Sequence, residues 1–330
     1  KGVWTDYFKQ WRKDEEDPKR NAFNLESFLE IPYTINFIGL YVGTFDGYVR
    51  KIDLFNGSRL WTSAYFGSQA YGLATDPFGY VYVGAYDGYV RKLNPSNGSV
   101  IWTSAGFGSR THGLVCDLYG YVYVGAYDGY VRKLNPSNGS TLWTSVDLGY
   151  NAWGLASDPS GYIYVGEGNG YVRKLNPSDG SVIWINTDFF GYDAGGLATD
   201  PFGYVYVGAN FGYVRKLNPS NGSTLWTSVD LGYNAWGLAS DPSGYIYVGE
   251  GNGYVRKLNP SDGSVIWTST DFGSSAYGLA TDPFGYVYVG AHDGYVRKLN
   301  PSNGSVIWSS TDFGYDARGL ATTYYAGWGN

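Results

Sequence analysis

Cysteine occurs once in this chain of 330 residues, histidine twice and methionine not at all. A single cysteine, Cys116, excludes an internal disulfide framework. The two histidines, His112 and His292, fall in different repeat units with no Ser or Cys nucleophile motif beside either, and a general base needs its partner within hydrogen-bond reach. No window approaches the roughly 18 consecutive apolar residues of a membrane-spanning helix, so membrane insertion is not expected. Basic residues are not in excess: 23 Lys and Arg stand against 29 Asp and Glu, a formal net charge of −6. Nucleic acid calls for a basic stripe, and no nucleic-acid partner is expected. A glycine-rich phosphate loop is missing too, because the glycines are spaced by strands and belong to turns. With no cofactor, metal or catalytic constellation legible, the expectation is a protein that is not an enzyme.

What is abundant is aromatic residues and glycine. Aromatics make up 19% of the chain, with 34 tyrosines, and glycine occurs 49 times. Large rings favour strands, where they pack on a pleated surface. The element "GYVRK" begins at Gly47, Gly88, Gly129, Gly170, Gly212, Gly253 and Gly294, in steps of 41 residues with one step of 42. Trp61, Trp102, Trp143, Trp184, Trp226, Trp267 and Trp308 keep the same period. Each unit divides into four runs, as in "GLATD", "YVYVG", "YVRKLN" and "SVIWTS" of residues 72–104, which we label strands A to D. Between them stand "PFG", "AYDG" and "PSNG", where Pro sets φ and Gly or Asn supplies a tight turn. A unit of roughly 40–45 residues with four strands predicts one blade of a β-propeller.

The expected fold is therefore all-β, a seven-bladed propeller of four-stranded antiparallel blades spanning residues 38–325. A charged extension covers 1–37 and a tail 326–330. The first B strand has no clear A strand before it, and the last A strand, Gly319–Tyr325, has no B strand after it. The C-terminal strand is expected to join the N-terminal blade and close the ring, which removes the unpaired inner edge; Ile31–Phe37 is the rival for that place. Alternation within "YVYV" should turn tyrosines to one neighbouring blade and valines to the other. Arg91 and its equivalents are expected against tyrosine rings or in solvent.

The segments "GLATDPFGYVYVGAYDGYVRKL" and "LNPSNGSVIW" resemble known propeller repeats. The first is similar to the NHL and YVTN propellers, the second to the tryptophan-ended motif of PQQ-like propellers. The resemblance covers about residues 38–325 and implies architecture more than activity. Quinoprotein enzymes of the PQQ-like type use eight blades and a vicinal cysteine pair; seven units and a lone Cys116 do not imply that chemistry.

Comparing the units with one another shows where they differ. The A–B and C–D turns scarcely vary, whereas the D–A and B–C connections do. Immediately before each "GL" stand Tyr71, His112, Trp153, Gly195, Trp236, Tyr277 and Arg318, expected just upstream of the innermost strand around the channel mouth. Two places earlier come Gln69, Arg110, Asn151, Asp193, Asn234, Ser275 and Asp316. Tyr71, His112, Trp153, Trp236, Tyr277 and Arg318, with Arg110, Asn151 and Asn234, are the candidate binding residues, being types enriched at binding hot spots. Drift of duplicated loops is the competing explanation. Asn56, Asn97, Asn138, Asn221 and Asn303 each open an "NGS" sequon, a formal N-glycosylation acceptor that also suits a tight turn. Asp46, Asp87, Asp128 and Asp293 in the B–C turns suit turn geometry better than a metal. Cys116 is expected as a small buried residue. The chain begins with Lys1, which fits a removed signal peptide and an extracellular or cell-surface location. Two functions remain: a module that binds a glycan or protein through the variable rim, or a structural subunit of a surface layer or filament that joins copies of itself through 1–37 or strand exchange.

Overall fold

The structure, a computed structural model, describes residues 39–188 and 193–323. They form seven four-stranded antiparallel sheets. In blade 2 strand A is Ala70–Thr75, B is Val81–Ala85, C is Val90–Leu93 and D is Val100–Thr103. The A strands touch one another in a closed cycle. In blade 1 the sequence order is broken: the C-terminal strand Ala317–Thr323 pairs with Gly39–Thr44, Leu320 opposite Val42. Closure by the chain's last strand is thus as the repeat count predicts, and the rival segment 31–37 lies outside the described residues. So do the extension 1–37 and the tail 326–330.

Alternation builds the joints between blades. Tyr82 and Val90 of blade 2 pack with Leu114, Val122 and Val124 of blade 3, while Val81, Val83 and Leu93 face Tyr41 and Val49 of blade 1. Seven tyrosines equivalent to Tyr82 are fully buried, each withdrawing on the order of 150–250 Å² from water. A buried phenol needs a partner, and Tyr82 Oη donates to Asp76 Oδ2 at 2.8 Å. Five other blades repeat the pair. Blade 1 has no Asp-Pro turn, because its A strand is the chain's last, and burial pushes the Tyr41 phenol up to about 12.

The tryptophan of the repeat is a rivet. Trp102 Nε1 and Lys92 Nζ of blade 2 both donate to the Pro136 carbonyl in the C–D turn of blade 3, at 3.0 and 2.9 Å. The indole lies against Gly139 of that turn, where a Cβ would sit 2.6 Å from Cε3. At the ring seam Trp308 and Lys298 make the same bonds to Leu54 O. The invariance of the C–D turn has this cause.

A second belt links the A strands near their A–B ends. Thr75 Oγ1 donates to Thr322 O, Thr322 to Thr281 O, Thr281 to Ser240 O, Ser240 to Thr199 O, Thr199 to Ser157 O and Ser157 to Cys116 O, at 2.6–3.0 Å. Cys116 interrupts the series. It is half-buried rather than fully buried as the sequence suggested, because this position faces the channel. Burial, then Asp76 and Asp117, push its thiol well up. Cys116→Thr is expected to complete the belt and raise stability by about 0.5–1.5 kcal/mol. Urea unfolding checks this; an unchanged or lower midpoint refutes it.

Candidate functional site

The variable connections share one rim. In six blades the B–C turn bonds back to the residue three places before "GL", as in Tyr86 N–H to Gln69 O at 2.9 Å, Tyr127 N–H to Arg110 O at 3.0 Å and Gly251 N–H to Asn234 O at 3.0 Å. In every blade but the fifth strand A begins earlier than the sequence suggested, so the residue before "GL" lies inside it. In blade 2 Ala70 faces Ala85 and Gly72 faces Gly84, which leaves Tyr71 as the extra residue of a β-bulge. Trp153, Trp236, Tyr277 and Arg318 occupy the same bulge in their blades. A bulge re-aims the extra side chain, and all of these residues end half-buried at the channel mouth. Nothing in the strand pattern of the sequence announced the bulge.

The side chains so aimed touch in series. Trp236 lies 6.1 Å from Tyr277, the Arg318 guanidinium 4.1 Å from Tyr277 and 4.2 Å from Phe45, and Phe45 5.2 Å from Tyr71. Tyr71 lies 5.1 Å from His112, and His112 4.5 Å edge-on from Trp153. The arc stops at blade 5, where Gly195 supplies no side chain and strand A is only Gly196–Thr199. Beside it Asp193 holds φ 59°, the one non-glycine residue with positive φ among those described, and its Oδ2 accepts from Asn210 Nδ2 at 3.1 Å. The two tryptophans flanking the gap belong to copies of the same block, yet Trp153 packs on His112 and Tyr127 of the preceding blade and Trp236 on Tyr277 of the following one.

Two open clefts lie on this rim. One, of about 560 Å³, is bordered by Asn210, Phe211, Asp230, Asn234, Trp236 and Tyr277. The other, of about 600 Å³, is bordered by Phe45, Tyr65, Gln69, Tyr71, Tyr86 and Arg110. Sequence comparison singled out Tyr71, Arg110, Asn234, Trp236 and Tyr277 among these. It passed over Phe45, Tyr86 and Phe211, although variation in the B–C turns signalled them. Asn151 sits in the same layer, its carbonyl taken by Gly168 N–H.

Other singled-out residues have local partners. Arg91 pairs with Asp87 at 2.5 Å and lies 5.1 Å from Phe66 of the preceding D–A connection and 5.5 Å from Tyr89. The tyrosine faces expected for it are taken by Lys92, 3.8 Å from Tyr80 and 5.3 Å from Tyr82. Asp46, Asp128 and Asp293 pair likewise with Arg50, Arg132 and Arg297. In blades 4 and 6 the turn acid becomes Asn169 or Asn252, and Glu167 or Glu250 replaces the alanine two places before it. Glu167 then meets Arg173 at 2.7 Å and Glu250 meets Arg256 at 2.6 Å. The carboxylate has moved from turn to buried strand end while keeping its arginine. His112 Nδ1 lies 3.2 Å from Trp153 O, and burial pushes its pKa down to about 4, aided by Arg318 and Arg110. His292 Nε2 stands 3.6 Å from Asp316. No cluster of three or more His, Cys, Asp or Glu that could hold a metal occurs among the described residues. Asn56, Asn97, Asn138, Asn221 and Asn303 are exposed in the C–D turns, at the opposite end from the rim. Each turns its Oδ1 to a following Ser N–H, at 2.8–3.0 Å. Asp179 and Asp262 do the same in the "DGS" units, so the turn requires an acceptor rather than an amide.

Fold and rim together define a closed seven-bladed β-propeller with an aromatic–arginine arc on one face. The family model of outer membrane protein assembly factor BamB, a PQQ-like propeller family, matches residues 45–188 and 210–323, and the chain belongs to that family. Among solved structures it is similar to the computationally designed Ika8 protein (19% identity, 87% of each chain covered, TM-score 0.68). BamB from Moraxella catarrhalis is similar at 19% identity, covering 87% of this chain and 86% of that one, with TM-score 0.59. The WD40 β-propeller domain of Doa1 is similar at 17% identity, covering 81% and 90%, with TM-score 0.70. At such identities these likenesses show the fold. No curated protein matches the chain. No helix among the described residues is long and apolar enough to cross a membrane.

Proposed function

We propose that this chain is a non-enzymatic binding propeller that takes a glycan or protein partner on its variable rim, outside the cell or at its surface. The observation that carries the reading is coincidence: both open clefts fall where the repeats differ, and bulged strands aim aromatic side chains into them. Drift of duplicated loops accounts for variation but not for a re-aimed arc of Tyr, His, Trp and Arg. A family described by an outer-membrane assembly factor favours work beyond the cytoplasm and a protein partner. In the alternative, a structural subunit, strand exchange would have to replace the pairing of Ala317–Thr323 within the chain by the same pairing between copies. The other route, through residues 1–37, rests outside the described residues.

Glycan and peptide arrays probed with the full chain would supply ligands, and calorimetry on Tyr71→Ala and Trp236→Ala would place them. Loss of a central aromatic anchor is expected to weaken binding about 30-fold while unfolding stays cooperative. Ligands that bind both variants as tightly as the parent refute the rim. Light scattering with and without residues 1–37 decides the alternative, which requires polymers that vanish with the extension.

A further inference from the structure

Seven arginines of the ring have a carboxylate within ion-pair distance. Arg110 has none among the described residues. Its guanidinium lies flat against Tyr86, 3.6 Å from the ring centroid, with Tyr127 at 5.1 Å. At the equivalent place the other units carry Gln69, Asn151, Asp193, Asn234, Ser275 and Asp316, so at this place of the repeat one unit alone carries a cation, while Arg318 elsewhere on the rim is paired with Asp316. The cleft it borders is walled by aromatic rings with Gln69 among them, and no acidic side chain lines it. The companion cleft carries Asp230 and no cation. The two clefts therefore carry opposite charges.

Arg110 also hydrogen-bonds the Tyr127 phenol, and the guanidinium N–H groups not spent there form a planar fork that matches a carboxylate. The remaining walls are flat: Tyr71 and Tyr86 lie 6.1 Å apart at 27°. Tyr86 N–H is spent on Gln69 O, and apart from Tyr71 the cleft is bordered by residues of the connections rather than by strands. An added peptide strand, which pairs along a free sheet edge, has no such edge to join there. A ring carrying a carboxylate uses what is on offer.

Resting on the binding reading above, we propose that the Arg110 cleft takes the uronic-acid unit of an acidic oligosaccharide, its carboxylate on Arg110 and its apolar ring face on Tyr71 or Tyr86. Calorimetry on the full chain with an oligogalacturonate, with the methyl ester of the same oligosaccharide and with an acidic peptide tests this. The acid is expected to bind about tenfold to a hundredfold more tightly than the ester, the worth of one charge-assisted contact, and to weaken as salt rises. Arg110→Gln should reduce the acid to the ester's affinity, Arg110→Lys should retain part of the preference, and Tyr119→Ala, in an exposed A–B turn away from the rim, should leave it intact. Equal binding of acid and ester, an Arg110→Gln chain that keeps the preference, or capture of the acidic peptide in place of the sugar overturns the inference. Ligands from the arrays that depend on Trp236 but not Arg110 would overturn it while the rim stands; absence of any rim-dependent ligand would remove both.

Discussion

Gly278→Ala is expected to be among the most damaging single-methyl additions to the ring, costing about 3 kcal/mol, the upper end for overpacking. A Cβ at Gly278 would stand 2.0 Å from the carbonyl oxygen of Arg318 in the next inner strand. That atom is backbone and cannot rotate away. The same approach recurs at Gly72 against His112 O, 2.1 Å, and at Gly237 against Tyr277 O, 2.2 Å. In each case the glycine after one rim residue would touch the carbonyl of the next rim residue. The neck of the ring and the rim arc therefore depend on one dipeptide: a bulged aromatic or arginine to face the mouth, then a glycine to let the neighbouring strand close in. Gly314→Ala is the control. Gly314 has nothing within 4 Å of a built Cβ but holds φ +73°, so only the left-handed conformation is penalised, by about 1–2 kcal/mol. Urea unfolding followed by circular dichroism, with a single transition verified, compares them. Should Gly278→Ala cost no more than Gly314→Ala, the strand contact is not what requires glycine.

Raising the pH from 5 to 8 is expected to destabilise the ring, and the effect should largely disappear in a chain carrying Glu167→Gln and Glu250→Gln. Both residues are fully buried. Burial pushes each carboxyl from 4.5 up to about 7, with Arg173 and Arg256 pulling the other way. The folded chain thus prefers the protonated form. Between pH 4.5 and about 7 it holds more protons than the unfolded chain, so this contribution is complete below 4.5 and lost as pH rises to 7. A shift of that size corresponds to on the order of 3 kcal/mol per group. Glu250 Oε1 accepts an aligned bond from Arg256 Nη1, while Oε2 has none; neither oxygen of Glu167 has an aligned bond. Glu250→Ala combined with Asn252→Asp transplants the blade 2 arrangement of Ala85, Asp87 and Arg91, and should keep stability at pH 8 with a flatter profile. A pH profile unchanged by the glutamine pair would show that these carboxyls are ionised alike in both states.

The period of 41 residues, the four runs per unit and the orphaned first and last strands were enough to read seven blades and their closure. This legibility has a physical basis. A blade cannot bury its faces alone, so every unit must repeat the tyrosine, valine, tryptophan and turn residues that meet the next unit. Tyr82 with Asp76 and Trp102 with Pro136 are interface chemistry written once and copied. Differences between copies likewise marked the rim, including Arg110 and Trp236. The aim of the rim side chains was not legible. Tyr71 is an extra residue only with respect to Gly84 and Ala85 on the partner strand, and a bulge exists only in the pairing. Cys116 looked like a small core residue because its neighbours in sequence are apolar, whereas its exposure depends on where the channel runs.

Identical text also found different surroundings. Trp153 and Trp236 share their blocks residue for residue, and they part because one has His112 and Tyr127 on its preceding side and the other has Tyr277 ahead of it. The sequence by itself determined the blade, its joints and the number of blades, since these rest on contacts between residues that recur at fixed spacing. Only the tertiary structure decided the bulged arc, its gap at Gly195, the two clefts of opposite charge and the glutamates that stand in for turn aspartates. Those depend on which non-identical neighbours the closed ring brings side by side, and a periodic sequence carries no record of that.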